Sequence, residues 1–491
     1  MLRLAGRTGG GVALSIACAL LLAGCATNRP SACETSTDTY PLPGNLCQSY
    51  ASLETPPDLR DPQGGGPLRV SSGKPLPEPR KKAGGRLSVP QLVRTLIGTN
   101  PDIGISAARE KEQFSAIAGA EVGLYPTVDL TAAVGPQRNF QPDPIGNGLR
   151  RETGLNIRQN LYDFGAAQEN VNRATLAYHS ASNARIARSE QTTFDMLDLL
   201  LKTQQIDRTM VVTNRNIEAH EGILKIVQSN ERDGNSTVAD VKRVTTRLES
   251  ARSTLIDLAT DRTNAADAFR RLTDVEVDLV VDRITPRLGG DPARLTPPRL
   301  EANPEIVAIK NEITSLRHQV ESVRAQGLPS VGLESNLKMG RQMTAPDSTV
   351  DRKTYANVLL SVRVPLFDGG ANESTRQQVV ARLEAAQLKL DKRRRELAED
   401  AKGAQRISQS DPEKSGSLVT RVEAARKVKE LYLEQFKDGN RTIFELLDSQ
   451  VDLVKAETDL IAQDTNRRRT RIKTLLLEGT LVRTVLAAKG G

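Results

Sequence analysis

Asn100-Pro101-Asp102-Ile103 returns as Asn303-Pro304-Glu305-Ile306, 203 residues further along the chain. Pro126 and Leu130 recur as Pro329 and Leu333 at the same offset. Leu161-Tyr162-Asp163-Phe164-Gly165 comes back as Leu366-Phe367-Asp368-Gly369-Gly370, and Asp233-Gly234-Asn235 as Asp438-Gly439-Asn440, both 205 residues on. Landmarks in fixed order and with so little drift define a duplicated structural unit, much longer than the roughly 20–50 residue periods of solenoids. Each copy orders its parts alike: short helix, two strands, long helix, turn, helix. The chain therefore divides into a first unit over residues 87–300 and a second over residues 301–486.

Residues 145–285 contain no proline. Within them Met196, Leu199, Thr203, Ile206, Met210, Thr213, Ile217, His220, Leu224 and Val227 fall at alternating spacings of three and four, a heptad seam. The pattern predicts a helix from about Ala166 to about Arg232, about 100 Å long at 1.5 Å per residue. Such a length suits a coiled-coil rod or the wall of a tube. Gly234 can end the helix in the left-handed conformation, and Ser236 or Thr237 can cap a returning helix that runs to Leu272. The second copy predicts a helix over Asn372–Lys437, a turn at Asp438-Gly439-Asn440, and a return to about Leu481. On that return Leu447, Val451, Val454, Thr458 and Ile461 form one seam, and Leu446, Leu453 and Leu460 form a second. Two seams imply neighbours on both sides, as in a helical barrel. Pro412 is expected to interrupt and kink the second long helix.

Between the short and long helices the hydrophobic period switches to two. Val128, Leu130, Ala132 and Val134 alternate with Thr127, Asp129, Thr131 and Ala133. Leu155, Ile157 and Leu161 do the same, as do Val331, Leu333 and Leu337, and the run from Ala356 to Leu366 has one unbroken apolar face. Each segment is about 12 residues, enough to cross a bilayer as a tilted strand. The linking segments, Gln141–Gly148 and Thr344–Lys353, are polar and rich in turn formers. Tyr125, Tyr162, Phe164 and Phe367 lie at one end of the strands, where an interfacial aromatic belt would sit. A sandwich in the periplasm would show the same alternation. If the strands span, four cannot close a barrel, and an open edge is not tolerated in lipid, so the barrel must be shared between copies.

The N-terminus carries Arg3 and Arg7, then an apolar stretch from Val12 to Leu22 that ends in Leu22-Ala23-Gly24-Cys25. This is the pattern of a bacterial lipoprotein signal over residues 1–24, with Cys25 as the lipidated residue. Ala26 is not the Asp that favours inner-membrane retention, so the outer membrane is the expected address. Residues 25–86 hold ten of the chain's 25 prolines and the run Gly64-Gly65-Gly66, the composition of an extended tether. Cys33 and Cys47 remain after processing; in an oxidising compartment they are either a disulfide or two free thiols.

A net charge of +8 and runs such as Arg467-Arg468-Arg469 raise nucleic acid as a partner. The basic residues alternate with acids along helices, Trp is absent and aromatics are 3% of the chain, so no nucleic acid is expected. Three His, no Cys/His metal spacing, no phosphate loop and no nucleophile elbow leave no enzyme, metal site or cofactor to propose.

The duplicated unit, the Asn-Pro-[Asp/Glu]-Ile starts, the strand-end motifs and the Asp-Gly-Asn turns together resemble the TolC family of outer-membrane efflux proteins, over about Leu87 to Leu481. The resemblance implies a homotrimer, mainly α with membrane β. A long helical tunnel would cross the periplasm below a shared 12-stranded barrel in the outer membrane. Its implied partners are a periplasmic adaptor and an inner-membrane pump. Arg441-Thr442-Ile443-Phe444-Glu445-Leu446-Leu447-Asp448 matches the motif after the second hairpin tip. By that match Glu445 and Asp448 would form acidic constriction rings, and Asp240 would pair with Arg441 to gate the periplasmic mouth. Phe436 stands where the family often has a Tyr, and it cannot donate that residue's hydrogen bond. Leu446-Leu447-Asp448-Ser449-Gln450 is similar to the Leu-Leu-Asp-Ala-Gln of the type I secretion branch. The expected function is a passive exit duct for type I protein secretion. The alternative is the outer-membrane component of a multidrug efflux pump, to which the lipobox points. A periplasmic coiled-coil adaptor is the remote alternative.

Overall fold

The computed structural model describes residues 87–137, 148–279, 291–294, 296–344 and 350–487. The signal segment, the tether with Cys25, Cys33 and Cys47, and the central parts of both strand-linking segments lie outside the described residues. In chain order come α1 (Val89–Thr99), α2 (Pro101–Glu121), β1 (Thr127–Gln137), β2 (Gly148–Tyr162), α3 (Ala166–Arg232) and α4 (Val238–Thr273). They are followed by α5 (Pro297–Glu301), α6 (Pro304–Gln326), β3 (Ser330–Thr344), β4 (Val350–Arg363), α7 (Ala371–Lys437), α8 (Ile443–Glu478) and α9 (Leu481–Ala487).

The repeated motifs are the joints of this architecture. Pro101 and Pro304 occupy the first turn of α2 and α6, where a missing N–H costs nothing. Asn100 caps α2 through Oδ1, which accepts from the Asp102 and Ile103 amides, while its Nδ2 donates to the Leu272 carbonyl at 3.0 Å. Asn303 repeats this, accepting from the Glu305 amide and donating to the Leu477 carbonyl at 3.0 Å. One side chain thus ties the start of each short helix to the end of the returning helix. At the strand ends Asp163 accepts from the Gly165 and Ala167 amides, and Asp368 from the Gly370 and Asn372 amides. Each aspartate turns a strand into a 67-residue helix.

All four strands form one antiparallel sheet in the order β1-β2-β3-β4. The two repeats are joined by β2 and β3, which pair along their length with Leu155 opposite Leu337 and a bulge between Asn160 and Tyr162. Val128, Leu130 and Val134 on β1 and Val358, Leu360 and Val362 on β4 are all exposed. The register gathers alternate residues into rows on one face, such as Leu130-Leu155-Leu337-Ala356. The other face is mostly polar, with Leu359 an exception, while the row Val134-Arg151-Arg341-Arg352 brings three arginines to the apolar face near the strand-linking segments.

Three hydrophobic clusters hold the helices. The largest joins α1, the middle of α3, the ends of α4 and α8, and α9, around Leu92, Leu96, Met196, Phe269, Ile472 and Leu481. A second joins α6 to α7 through Ile306, Ile309, Leu390 and Leu397. The third lies at the hairpin tips. Helices α3 and α6 run together with three serine hydroxyls bonded to backbone carbonyls, Ser180 to Ala308, Ser315 to Arg173 and Ser322 to Ala166. Successive contacts step one heptad along both helices, which marks an antiparallel seam of close approach.

The long helix α3 has the expected bounds, and its seam is real: Met196, Thr203, Ile206, Thr213, His220 and Val227 are buried. Two expectations need correction. Helix α7 runs unbroken through Pro412, beside which Asp411 is buried and held by Gln463 Nε2 at 2.9 Å from α8. The returning helix of the second repeat stops at Glu478 rather than Leu481, because Gly479 takes φ 66 and a new helix, α9, begins beyond it. The runs that raised nucleic acid are paired with acids: Arg467 and Arg468 with Asp464, and Arg469 with Asp198.

Candidate functional site

The tips of the two helical hairpins are built alike. Asp233 caps the end of α3 and Asp438 that of α7, followed by Gly234 (φ 80) and Gly439 (φ 74), which take the left-handed backbone that reverses the chain. Thr237 then caps α4 and Thr442 caps α8. Each threonine shares a reciprocal capping box with an acid three residues on. Asp240 Oδ2 accepts from the Thr237 amide at 3.1 Å and its hydroxyl at 2.7 Å. Glu445 Oε2 accepts from the Thr442 amide at 3.2 Å and its hydroxyl at 2.9 Å. The Thr442 amide, then its hydroxyl, then Arg441 hold the Glu445 carboxyl below the usual range.

Beneath the turns Phe436 packs with Ile223, Val227, Val244, Ile443, Leu446 and Leu447. Phe436 is therefore a core residue of the tip. Arg441 has three partners within its own hairpin. It donates to Glu445 Oε1, its Nε donates to Gln435 Oε1 at 2.9 Å, and its guanidinium lies 4.5 Å from the Tyr432 ring centroid. Asp240 is occupied by the Thr237 cap, and among the described residues no ion pair within the chain joins it to Arg441. Asp448 faces Arg247 of α4 at 3.8 Å, a contact that bridges the two hairpins. Arg243, also on α4, lies 5.5 Å from the Phe444 ring centroid.

Below this layer Gln450 of α8 donates to Asn216 of α3 at 3.0 Å, and Arg208 of α3 pairs with Asp464 of α8 at 2.7 Å. The arrangement can hold two helical ends together by charge and a small apolar core, and it presents half-exposed carboxylates where the tips end. Tyr432, Gln435 and Arg247 escaped the sequence reading. Tyr432 lies one turn before Phe436 on the same helix face, the only signal that could have pointed to it.

The sequence model of the outer membrane efflux protein family matches residues 92–274 and 298–476. The chain belongs to that family. Its fold is that of a channel, and its location is the outer membrane. Outer membrane efflux protein BepC of Brucella suis is 23% identical over 321 residues, 63% of this chain and 67% of the relative. Alkaline protease secretion protein AprF of Pseudomonas aeruginosa is 26% identical over 238 residues, 46% of this chain, so the match spans about half of that relative, 48%. The solved outer membrane protein VceC of Vibrio cholerae superposes with a TM-score of 0.71 at 14% identity, covering 81% of this chain and 96% of that one. The CmeC outer membrane channel of Campylobacter jejuni gives 0.71 at 13% identity, covering 80% and 86%. At such identities the superpositions establish the fold: a duplicated helical assembly carrying a small antiparallel sheet.

Proposed function

We propose that three copies of this chain close a shared barrel and form the exit duct of a type I protein-secretion system. The observation that carries this reading is the four-stranded sheet itself. One of its faces is apolar and exposed, while β1 and β4 are each paired on one side only within the chain. Unpaired strand edges in lipid leave backbone groups without hydrogen bonds, so edge must meet edge in neighbouring copies. Twelve strands in a closed cylinder follow from three such sheets.

The duct is passive, and a pump in the inner membrane drives export through a periplasmic adaptor. Type I secretion is supported by the Leu446-Leu447-Asp448-Ser449-Gln450 run. It is supported also by two relatives whose names refer to protease secretion, AprF and PrtF of Dickeya chrysanthemi. The name of BepC refers to efflux. Deleting the gene in its native host separates the two readings. Loss of one large protein from the medium with unchanged drug sensitivity supports secretion, and the reverse result supports efflux.

Asp240, Arg441, Glu445 and Asp448 act at the periplasmic mouth in this reading, the last two as acidic rings once three copies surround an axis. Cys25 anchors the chain to the outer membrane by its acyl groups. Labelled palmitate is incorporated by the parent chain and not by Cys25→Ser; equal labelling of both would remove the anchor from the proposal. Cys33 and Cys47 stand close to the anchor in sequence, either as a disulfide or as two thiols.

A further inference from the structure

The apolar face of the sheet ends differently at its two margins. At the helix end the register sets Tyr162, Val331 and Val362 in one row. Tyr162 and Phe164 are exposed there, with ring centroids 4.8 Å apart. Ten residues further along β3 and β4 comes the row Val134-Arg151-Arg341-Arg352. Ten residues of antiparallel strand span about 34 Å. At a tilt of about 40° that is about 26 Å of height, close to the roughly 25 Å apolar band of a membrane barrel. If this face meets lipid, tyrosine marks one interface and arginine the other; this step rests on the shared barrel proposed above.

The arginine row has no counter-charge on its own face. The register positions of that face hold no Asp or Glu on any of the strands. Glu152 and Asp351, the acids next to Arg151 and Arg352 in sequence, alternate to the opposite face. Asp143 and Asp347 belong to the strand-linking segments and lie outside the described residues. Nor is the row a strand end, because the apolar row Pro136-Leu149-Met343-Val350 follows it. Arg151 is exposed. Neighbouring strands lie about 4.8 Å apart, so the three arginines are spread over about 10 Å of backbone. A guanidinium fork binds phosphate oxygens in pairs, and an arginine at an interface keeps its stem along apolar surface and its charge among headgroups.

We propose that Arg151, Arg341 and Arg352 form a lipid-facing site for the diphosphorylated headgroup of lipid A, the glycolipid of the outer membrane's outer leaflet. The leaflet follows from the connectivity. Both long helices, α3 and α7, leave from the tyrosine end, so the arginine row stands at the end away from the periplasm. Three cations side by side, with no acid on their face, suit a ligand that carries two phosphates better than one that carries a single phosphate. Three copies repeat the site around the barrel, so bound glycolipid surrounds its outer rim.

The test is native mass spectrometry of the full-length assembly in mild detergent, with added diphosphoryl lipid A or with phosphatidylglycerol at the same concentration. The parent holds lipid A severalfold more tightly than phosphatidylglycerol. The triple variant Arg151→Gln, Arg341→Gln, Arg352→Gln loses this preference, while Arg158→Gln, on the opposite face, keeps it. Arg341→Gln alone, at the centre of the row, gives a smaller loss and carries the test where the triple variant does not assemble. Parental lipid A binding in an assembled triple variant, or in Arg341→Gln where that variant carries the test, overturns the proposal. So does a parent that holds both lipids equally. A parent found as a single copy embedded in the membrane refutes the shared barrel instead, so the two failures are distinct.

Discussion

Arg441 and Glu445 are joined one helical turn apart within the second hairpin, and the same carboxylate closes the capping box on Thr442. The arginine that resemblance assigns to the gate is thus already engaged within its own chain, by Glu445, Gln435 and the Tyr432 ring. Opening the mouth requires either that these contacts travel with the tip or that they break. Arg441→Ser removes all three and is expected to raise single-channel conductance severalfold in planar bilayers. Tyr432→Leu removes only the cation–π contact, typically about 0.5–1 kcal/mol at an exposed site, and should raise conductance less. Equal conductance in Arg441→Ser and parent channels, with helix content intact, would take the gate away from this residue.

Glu190 gives the fold a pH dependence. It lies buried in α3 against the start of α9, where it accepts from the Val482 amide at 3.1 Å. Burial pushes its carboxyl up to about 7, against the pull of the Val482 and Leu481 amides and of Arg483. Between the ordinary glutamate value of 4.5 and about 7 the native chain keeps a proton that the unfolded chain has released. Stability should therefore fall as pH rises through that window, by up to about 3 kcal/mol. Glu190→Gln keeps an acceptor for Val482 and cannot ionise, so its thermal midpoint should lose this slope and exceed the parent's at pH 8. Parallel curves for the two proteins would mean that Glu190 does not titrate there.

Gly479 meets two constraints at once. Its φ is 66, and a Cβ placed on it would lie 2.1 Å from Pro304 Cδ. Gly234 has a similar φ of 80 with nothing within 4 Å of such a Cβ. Gly234→Ala should cost only the left-handed conformation, about 1 kcal/mol. Gly479→Ala must also push the Asn-Pro joint away from the end of α8 and should lower the thermal midpoint clearly more. Equal losses from both substitutions would show that the joint yields without cost.

The sequence carried most of the frame because its signals are local. Asn-Pro starts, Asp strand ends and Asp-Gly-Asn turns each act through hydrogen bonds within a few residues, so they fix helix bounds wherever they occur. The seam from Met196 to Val227 is likewise a matter of spacing, and the half-buried positions within it, such as Leu199 and Met210, leave its direction unchanged. The tip was less legible. Asp240 and Arg441 have opposite charges just past equivalent turns, but a capping acid is satisfied by its own threonine before it can reach another hairpin. Arg441 reaches Tyr432 and Gln435 across the turn, a geometry that depends on how Gly439 folds the chain back. The place of Phe436 beside Ile443 and Leu446 is set by packing between helices that no single helix displays. Pro412 shows the same limit: packing on α8 keeps α7 helical where the local rule favours a break.

The most direct measurement is the mass of the full-length chain extracted from the outer membrane in mild detergent. Native mass spectrometry should give three copies of the processed chain, and this assembly should persist until the sheet itself is denatured. A stable single copy that remains embedded in the membrane would contradict a shared barrel, because a four-stranded sheet cannot satisfy its own edges in lipid.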